Sequence, residues 1–197
     1  MNDIVKTETY KGYKIEIWWD ECADYRDSDH LGKFYSNLRD LNPDKKEIDE
    51  AFENGIFDKE GRIRDELIYV NVYAYIHSGI ALSTSRRGQF ADTWDSGWAG
   101  VMACTIDEAR KWLGDNCTIE EIEKHLESEV EELDHFCQGE VYGFTLYDED
   151  GTEEDSVGYY VGDIDYCLEC AKGMVDAYEK YEYERQFNES MNYAEAE

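Results

Sequence analysis

The chain has 197 residues, 42% of them hydrophobic and 14% aromatic, which suffices for a proper core and argues against wholesale disorder. Its 48 acids against 19 bases leave a formal net charge of −29, which speaks against direct nucleic-acid binding, since that rests on Lys and Arg neutralising phosphates. No run approaches the roughly 18 apolar residues of a membrane span, and the opening MNDIVKTETY lacks the basic-then-apolar pattern of a leader, so a soluble intracellular protein is expected.

Thr7–Tyr10 and Tyr13–Trp19 read as a hairpin about a Lys11-Gly12 turn. In its second strand Tyr13, Ile15, Ile17 and Trp19 alternate with Lys14, Glu16 and Trp18, so one face is buried. Asp20-Glu21-Cys22-Ala23 follows the strand end, Asp24–His30 is a polar loop, and Leu31–Tyr35 is expected to return to the sheet. Asn42 as cap and Pro43, the single proline, start a short helix Pro43–Asn54 that Gly55 stops. Asp58–Gly61 marks a turn in the charged connection that leads to the central strands.

Leu67–Ile76 is the strand around which the rest is organised. Ile68, Val70, Val72, Ala74 and Ile76 form an aliphatic face, and Leu67, Tyr69, Asn71, Tyr73 and Tyr75 a tyrosine face. His77-Ser78-Gly79 is a turn in which Gly79 can take a positive φ, leading to a strand Ile80–Thr84. The long loop Ser85–Gly97 precedes a third strand, Trp98–Cys104.

Two capped helices come next. Thr105 with Glu108 makes a capping box for Ile106–Leu113, and Thr118 with Glu121 makes another for Ile119–Cys137. In the second, Ile119, Ile122, Leu126, Val130, Leu133 and Cys137 fall on one stripe, and Glu120, Glu121, Glu123, Glu127, Glu131, Glu132 and Asp134 occupy the remaining face, relieved by Lys124. Glu140–Tyr147 and Ser156–Val161 form a hairpin around the acidic loop Asp148–Asp155. Asp163 caps a final helix from Ile164 to about Phe187. The expected fold is a single α+β domain over residues 1–187, a mainly antiparallel β-sheet of about six to seven strands with amphipathic acidic helices packed on it, and a frayed acidic tail at 188–197.

Cysteines stand at 22, 104, 117, 137, 167 and 170 and are expected to be reduced. Cys167-Leu-Glu-Cys170 has no second pair, so buried small side chains account for it better than zinc, and no cofactor fingerprint is present. Ser78, Ser83, Ser96 and the cysteines, with His30, His77, His125 and His135 as bases, supply parts for nucleophilic catalysis but no recognisable elbow or dyad; His125 and His135 read as surface residues. A better candidate is a divalent-metal or small-ligand site, with scope for enzymatic chemistry, drawn from Asp20, Glu21, His77, Trp94 and Asp95 among carboxylates that also include Asp29 and Asp92. The blander account of Trp94-Asp95-Ser96-Gly97 is a turn in which Asp95 bonds backbone amides and Trp94 caps the core.

The charge is uneven. Residues 1–117 hold 23 acids and 15 bases (−8), whereas residues 118–197 hold 25 acids and 4 bases (−21). Such a field repels nucleic acid and membranes and attracts basic protein surfaces. Carboxylates three and four apart on a helix stand roughly 5–6 Å apart, close enough to a phosphate ladder for the groove of a DNA-binding protein to accept. The expected contact set is Glu120, Glu121, Glu123, Glu127, Glu131, Glu132 and Asp134, with Glu149, Asp150, Glu153, Glu154, Asp176, Glu179 and Glu182 from the second part. Tyr159, Tyr160, Tyr178, Tyr181 and Tyr183 could anchor such an interface. The blander account is a solvated, salt-tolerant surface; self-association through the tyrosine face is a third possibility.

In order, Asp20-Glu21-x-Ala23, Asp29-His30-Leu31-Gly32, the run His77–Thr84, Trp94-Asp95-Ser96-Gly97, Glu129-Val130-Glu131 with Asp134, Gly139–Phe144 and Asp155-Ser156-x-Gly158-Tyr159-Tyr160 resemble a family of largely uncharacterised bacteriophage proteins. The resemblance covers roughly residues 15–161. It implies phage origin and expression in the host bacterial cytoplasm, and it assigns no catalytic residue. Arg86-Arg87-Gly88-Gln89 and the long C-terminal helix depart from the pattern. Small, very acidic phage proteins are often inhibitors of host defence nucleases. By that analogy the expected partner is a basic DNA-binding host protein or nuclease complex, such as a CRISPR effector or restriction enzyme.

Overall fold

A computed structural model describes residues 3–36, 38, 56, 62–91 and 94–194, with side chains to 186. Among them are eight strands, paired antiparallel throughout, and three α-helices, so the α+β class stands. The strands form two four-stranded sheets rather than a single sheet of six to seven. By contacts the chain divides into two compact units: residues 1–23 with 139–197, and the intervening 24–138. The expected helix at Pro43–Asn54 and the turn at Asp58–Gly61 lie outside the described residues.

The first unit contains β1 (Ile4–Tyr10), β2 (Tyr13–Trp19), β7 (Val141–Tyr147), β8 (Glu153–Val161) and the helix α3 (Ile164–Ala194), which continues past the expected end at Phe187. Its sheet order is β1-β2-β7-β8. Lys11 (φ 49°) and Gly12 (φ 88°) make the tight β1–β2 turn, in which two left-handed residues match the twist of the strands. Ile15, Ile17, Tyr142, Phe144 and Leu146 face Cys167, Leu168, Ala171 and Val175 of α3. Cys167 is thus a core side chain, as its helical spacing suggested.

The opposite face of β7 is closed by Trp18. A Cβ at Gly143 would collide with its indole, and Trp18 Nε1 donates to Thr145 Oγ1 at 3.0 Å, which in turn meets Ser156 Oγ at 3.1 Å. This is why β7 is buried on both faces although its outer positions are small or polar. Asp20 supports the neighbouring irregularity. β8 slips register between the partners of Tyr142 and Phe144, and Tyr159 takes φ 67° there. Asp20 Oδ2 accepts the Tyr159 amide at 3.0 Å and fills the space a side chain at Gly158 would need, which holds a conformation costing a non-glycine residue roughly 1–2 kcal/mol.

The second unit contains β3 (Lys33–Ser36), β4 (Leu67–Ile76), β5 (Ile80–Ser83), β6 (Ser96–Thr105) and the helices α1 (Ile106–Leu113) and α2 (Ile119–Gln138), with sheet order β3-β6-β4-β5. The expected return strand at residues 31–35 is found as β3, which pairs with β6. Both capping boxes form: Glu108 N donates to Thr105 Oγ1, Glu121 N donates to Thr118 Oγ1, and each glutamate accepts the capping residue's amide in return. Val70, Val72 and Ala74 of β4 pack with Ile122, Leu126, Val130 and Leu133 of α2. On the tyrosine side, Ile56, Val101 and Ala103 form a smaller core with Tyr35, Ile63 and Leu67. Gly79 does not adopt the positive φ expected of it; the turn closes instead by His77 N–H donating to the Gly79 carbonyl at 3.3 Å.

Candidate functional site

Helix α2 sorts its acids. With Ile122, Leu126, Val130 and Leu133 turned inward, the 3.6-residue repeat leaves Glu120, Glu121, Glu123, Glu127 and Glu131 exposed and Glu132 half-buried. Glu120, Glu123, Glu127 and Glu131 take part in no salt bridge among the described residues. Glu121 is also engaged with its own cap through Thr118. Asp134, expected with the exposed set, is half-buried and committed to the fold: it accepts the Leu82 amide of β5 at 2.6 Å and Gln138 Nε2 at 2.7 Å.

Glu129, which the sequence reading names in the Glu129-Val130-Glu131 segment without giving it a role, is a structural residue. It is buried, and its two carboxylate oxygens accept the amides of Leu31 at 2.6 Å and Gly32 at 2.7 Å, while His125 Nε2 stands 3.4 Å from Oε1. His125 is therefore tied to a buried carboxylate rather than being a plain surface residue. The signal was present: Glu129 lies between Leu126 and Val130 on the apolar arc, where a solvated glutamate does not belong.

In the first unit an open groove of about 600 Å³ gathers Asp148, Glu149 and Asp150 of the β7–β8 turn with Glu179 and Glu182 of α3, beside Tyr13 and Tyr183. Much of its charge is answered locally. Lys11 Nζ lies 2.8 Å from Asp176 and 2.6 Å from Glu179, and hydrogen bonding to both raises its pKa while Asp176 is lowered by the same lysine. Arg185 holds Glu182 at 2.6 Å, and Asp148 accepts the amides of Asp150 and Thr152. Glu149, Asp150, Glu153 and Glu154 are exposed. Of the expected aromatic anchors, Tyr181 and Tyr183 are exposed, whereas Tyr160 and Tyr178 pack in the core and Tyr178 donates to Asp155 at 2.7 Å. Tyr159 is half-buried at the bulge.

The expected ligand residues divide between the units. Asp20 and Glu21 belong to the first, where Asp20 is engaged at the bulge and Glu21 is exposed. His77, Trp94 and Asp95 belong to the second, where His77 Nδ1 lies 3.5 Å from Asp95 Oδ2. Asp95 is fixed by its carbonyl, which accepts the Ile76 amide at 2.7 Å, and Ser96 Oγ ties the loop to the Phe90 carbonyl at 3.1 Å. Trp94 does not cap the core; it is 92% exposed. It lines, with Asp95, Trp98 and Ile76, a hollow of about 260 Å³. Asp92 lies outside the described residues.

Among the described residues no group of three or more His, Cys, Asp or Glu is placed to hold a metal ion, and no helix is long and apolar enough to cross a membrane. Comparison with protein-family models, curated proteins and solved structures finds no match to this chain.

Proposed function

We propose that this is an acidic bacteriophage protein, working in the host bacterial cytoplasm, that binds and blocks a DNA-interacting host defence protein by standing in for DNA. The observation that carries this reading is the solvent face of α2. From Glu120 to Glu132 it holds six outward or half-buried acids against Lys124, a net of −5 over about 18 Å, or one charge per ~3.6 Å of helix axis. One strand of duplex DNA carries one charge per ~3.4 Å. A helix with so few compensating i,i+4 lysines forgoes the stabilisation such pairs give, which a purely structural helix has little reason to do. The first unit's acids support the reading less, because Lys11 and Arg185 already answer Asp176, Glu179 and Glu182.

The experiment is a pull-down from host lysate at low salt, eluted with duplex DNA and repeated with Glu120, Glu123, Glu127 and Glu131 all changed to Lys. A basic DNA-binding protein released by DNA from the native chain, and lost with the charge-reversed one, supports mimicry. A partner held equally by both chains refutes it. A small-ligand protein is the second reading, favoured by the hollow that Trp94 and Asp95 line, with His77 Nδ1 3.5 Å from Asp95 Oδ2.

A further inference from the structure

We propose that β1 is a strap held to α3 by charge more than by apolar packing, and that screening of that charge releases it while the rest of the first unit stays folded. Residues directly opposite in an antiparallel pair share a sheet face. Lys6, Glu8 and Tyr10, opposite Ile17, Ile15 and Tyr13, therefore lie on the face that packs against α3. That face is apolar in β2 and charged in β1. None of the seven β1 residues is fully buried, whereas Ile15 and Ile17 of β2 are, as are all residues of β7 before Tyr147.

The inward charges meet α3 as a network. Lys6 Nζ lies 2.7 Å from Asp165, and Lys172 Nζ lies 2.9 Å from Glu8 and 3.2 Å from Glu169. Lys11, in the β1–β2 turn, reaches Asp176 at 2.8 Å and Glu179 at 2.6 Å, and Tyr10 donates to Asp176 at 3.2 Å. Positions 165, 169, 172, 176 and 179 recur at steps of four and three, a single stripe of the helix. Each bridge reaches solvent, where salt weakens it. Release bares the β2 edge, whose N–H and C=O groups can then pair with another strand, and takes Lys6 away from the acids of α3. The other edge strand, β8, is fastened differently. Its sequence holds no lysine or arginine, Val157 and Tyr160 pack against the core, and Tyr178 donates to Asp155 at 2.7 Å.

The test is native-state amide hydrogen exchange of the full chain, read by proton–nitrogen NMR. It compares about 0.01 M with about 1 M sodium chloride, between which the screening length falls from ~30 to ~3 Å. Amides of the β1–β2 ladder, Trp19 among them with its bond to the Asp3 carbonyl at 3.1 Å, should exchange about tenfold faster at high salt. Those of the β7–β8 ladder should stay within about twofold. Lys6→Met combined with Lys172→Met should speed β1–β2 exchange about fivefold at low salt and shrink the salt response. Lys14→Met removes the same charge, but Lys14 pairs with Glu16 of its own strand at 2.9 Å, so exchange should stay within about twofold of the native chain. Unchanged protection in β7–β8 reports that the variants are folded. An equal salt response in both ladders, β1–β2 amides that open only together with β7–β8, or Lys14→Met matching the double variant would each overturn the proposal.

Discussion

Replacing Glu129 by Gln removes one oxygen from a buried carboxylate that serves three groups. Native Glu129 accepts the Leu31 and Gly32 amides at 2.6 and 2.7 Å and lies 3.4 Å from His125 Nε2. Glutamine keeps one acceptor and turns an NH₂ toward a backbone N–H, so donor faces donor. A hydrogen bond to a charged group contributes about 1.5–3 kcal/mol, and the stranded buried N–H costs a further ~1–3 kcal/mol. Relief from burying a charge offsets part of this, which leaves about 2–4 kcal/mol of destabilisation. Room for rearrangement is small, because Gly32 is pressed against Glu129, Leu126 and Met102 so closely that even a Cβ would not fit. With a urea slope of roughly 2 kcal/mol per molar, the unfolding midpoint of the second unit should fall by about 1–2 M, read by circular dichroism of α2. Glu127→Gln, one turn away on the solvent face, should shift stability by no more than about 0.5 kcal/mol and serves as the control. A midpoint for Glu129→Gln indistinguishable from that of Glu127→Gln would refute the account of Glu129 as the clamp on residues 31 and 32.

Other perturbations probe separate parts of the molecule. Gly143→Ala forces the Trp18 indole off β7 and breaks its bond to Thr145; the expected loss is about 1–3 kcal/mol with a changed near-ultraviolet dichroism, and an unchanged spectrum would count against the close packing. Donation to Asp155 pushes the Tyr178 phenol up from 10.0 to about 12, so its stabilisation is fully present below pH ~10 and is lost as pH rises through about 12. The stability gap between the native chain and Tyr178→Phe should therefore be constant from neutral pH to ~10 and close by about 12; a gap that persisted there would refute the assignment. Burial raises the Cys104 and Cys137 thiols to about 11 and Cys167 to about 12, whereas Cys22 is exposed. Alkylation mapped by mass spectrometry should label Cys22 well before those three, and equal rates would show that the cores open readily.

What the sequence made legible was local. The alternation in β4, both Thr-x-x-Glu caps, the Lys11-Gly12 turn and the stripe of α2 each rest on contacts a few residues apart, and each is found where the pattern put it, except that the terminal Ile76 of β4 and Ile119 of α2 are exposed. Sheet partnership was not legible, because strands separated by more than a hundred residues carry the same period of two. Nothing in Lys14–Trp19 names Tyr142–Tyr147 as its neighbour, yet that pairing holds the first unit's sheet together. The strand at residues 33–36 was legible as an element, but its partner β6, more than sixty residues on, was not. The candidate ligand set likewise drew on strand-end carboxylates of both units, Asp20 and Glu21 from the first and Asp95 from the second.

The same distinction bears on what acidity can say about function. Asp20 holds the Tyr159 bulge, Glu129 clamps residues 31 and 32, Asp134 ties α2 to β5, and Asp148 shapes the β7–β8 turn. These carboxylates accept backbone amides, a task that Lys cannot take over and Gln, with a single acceptor oxygen, takes over only in part, so they would persist in a protein with no partner at all. Their charge says nothing about mimicry. Glu120, Glu123, Glu127 and Glu131 differ in kind: they are exposed, and none is in a salt bridge among the described residues. A fold needs the first group and would tolerate Gln or Lys at every member of the second. The case for a basic partner therefore rests on that second group, and charge reversal confined to it tests function while leaving the amide-binding acids, and with them the fold, in place.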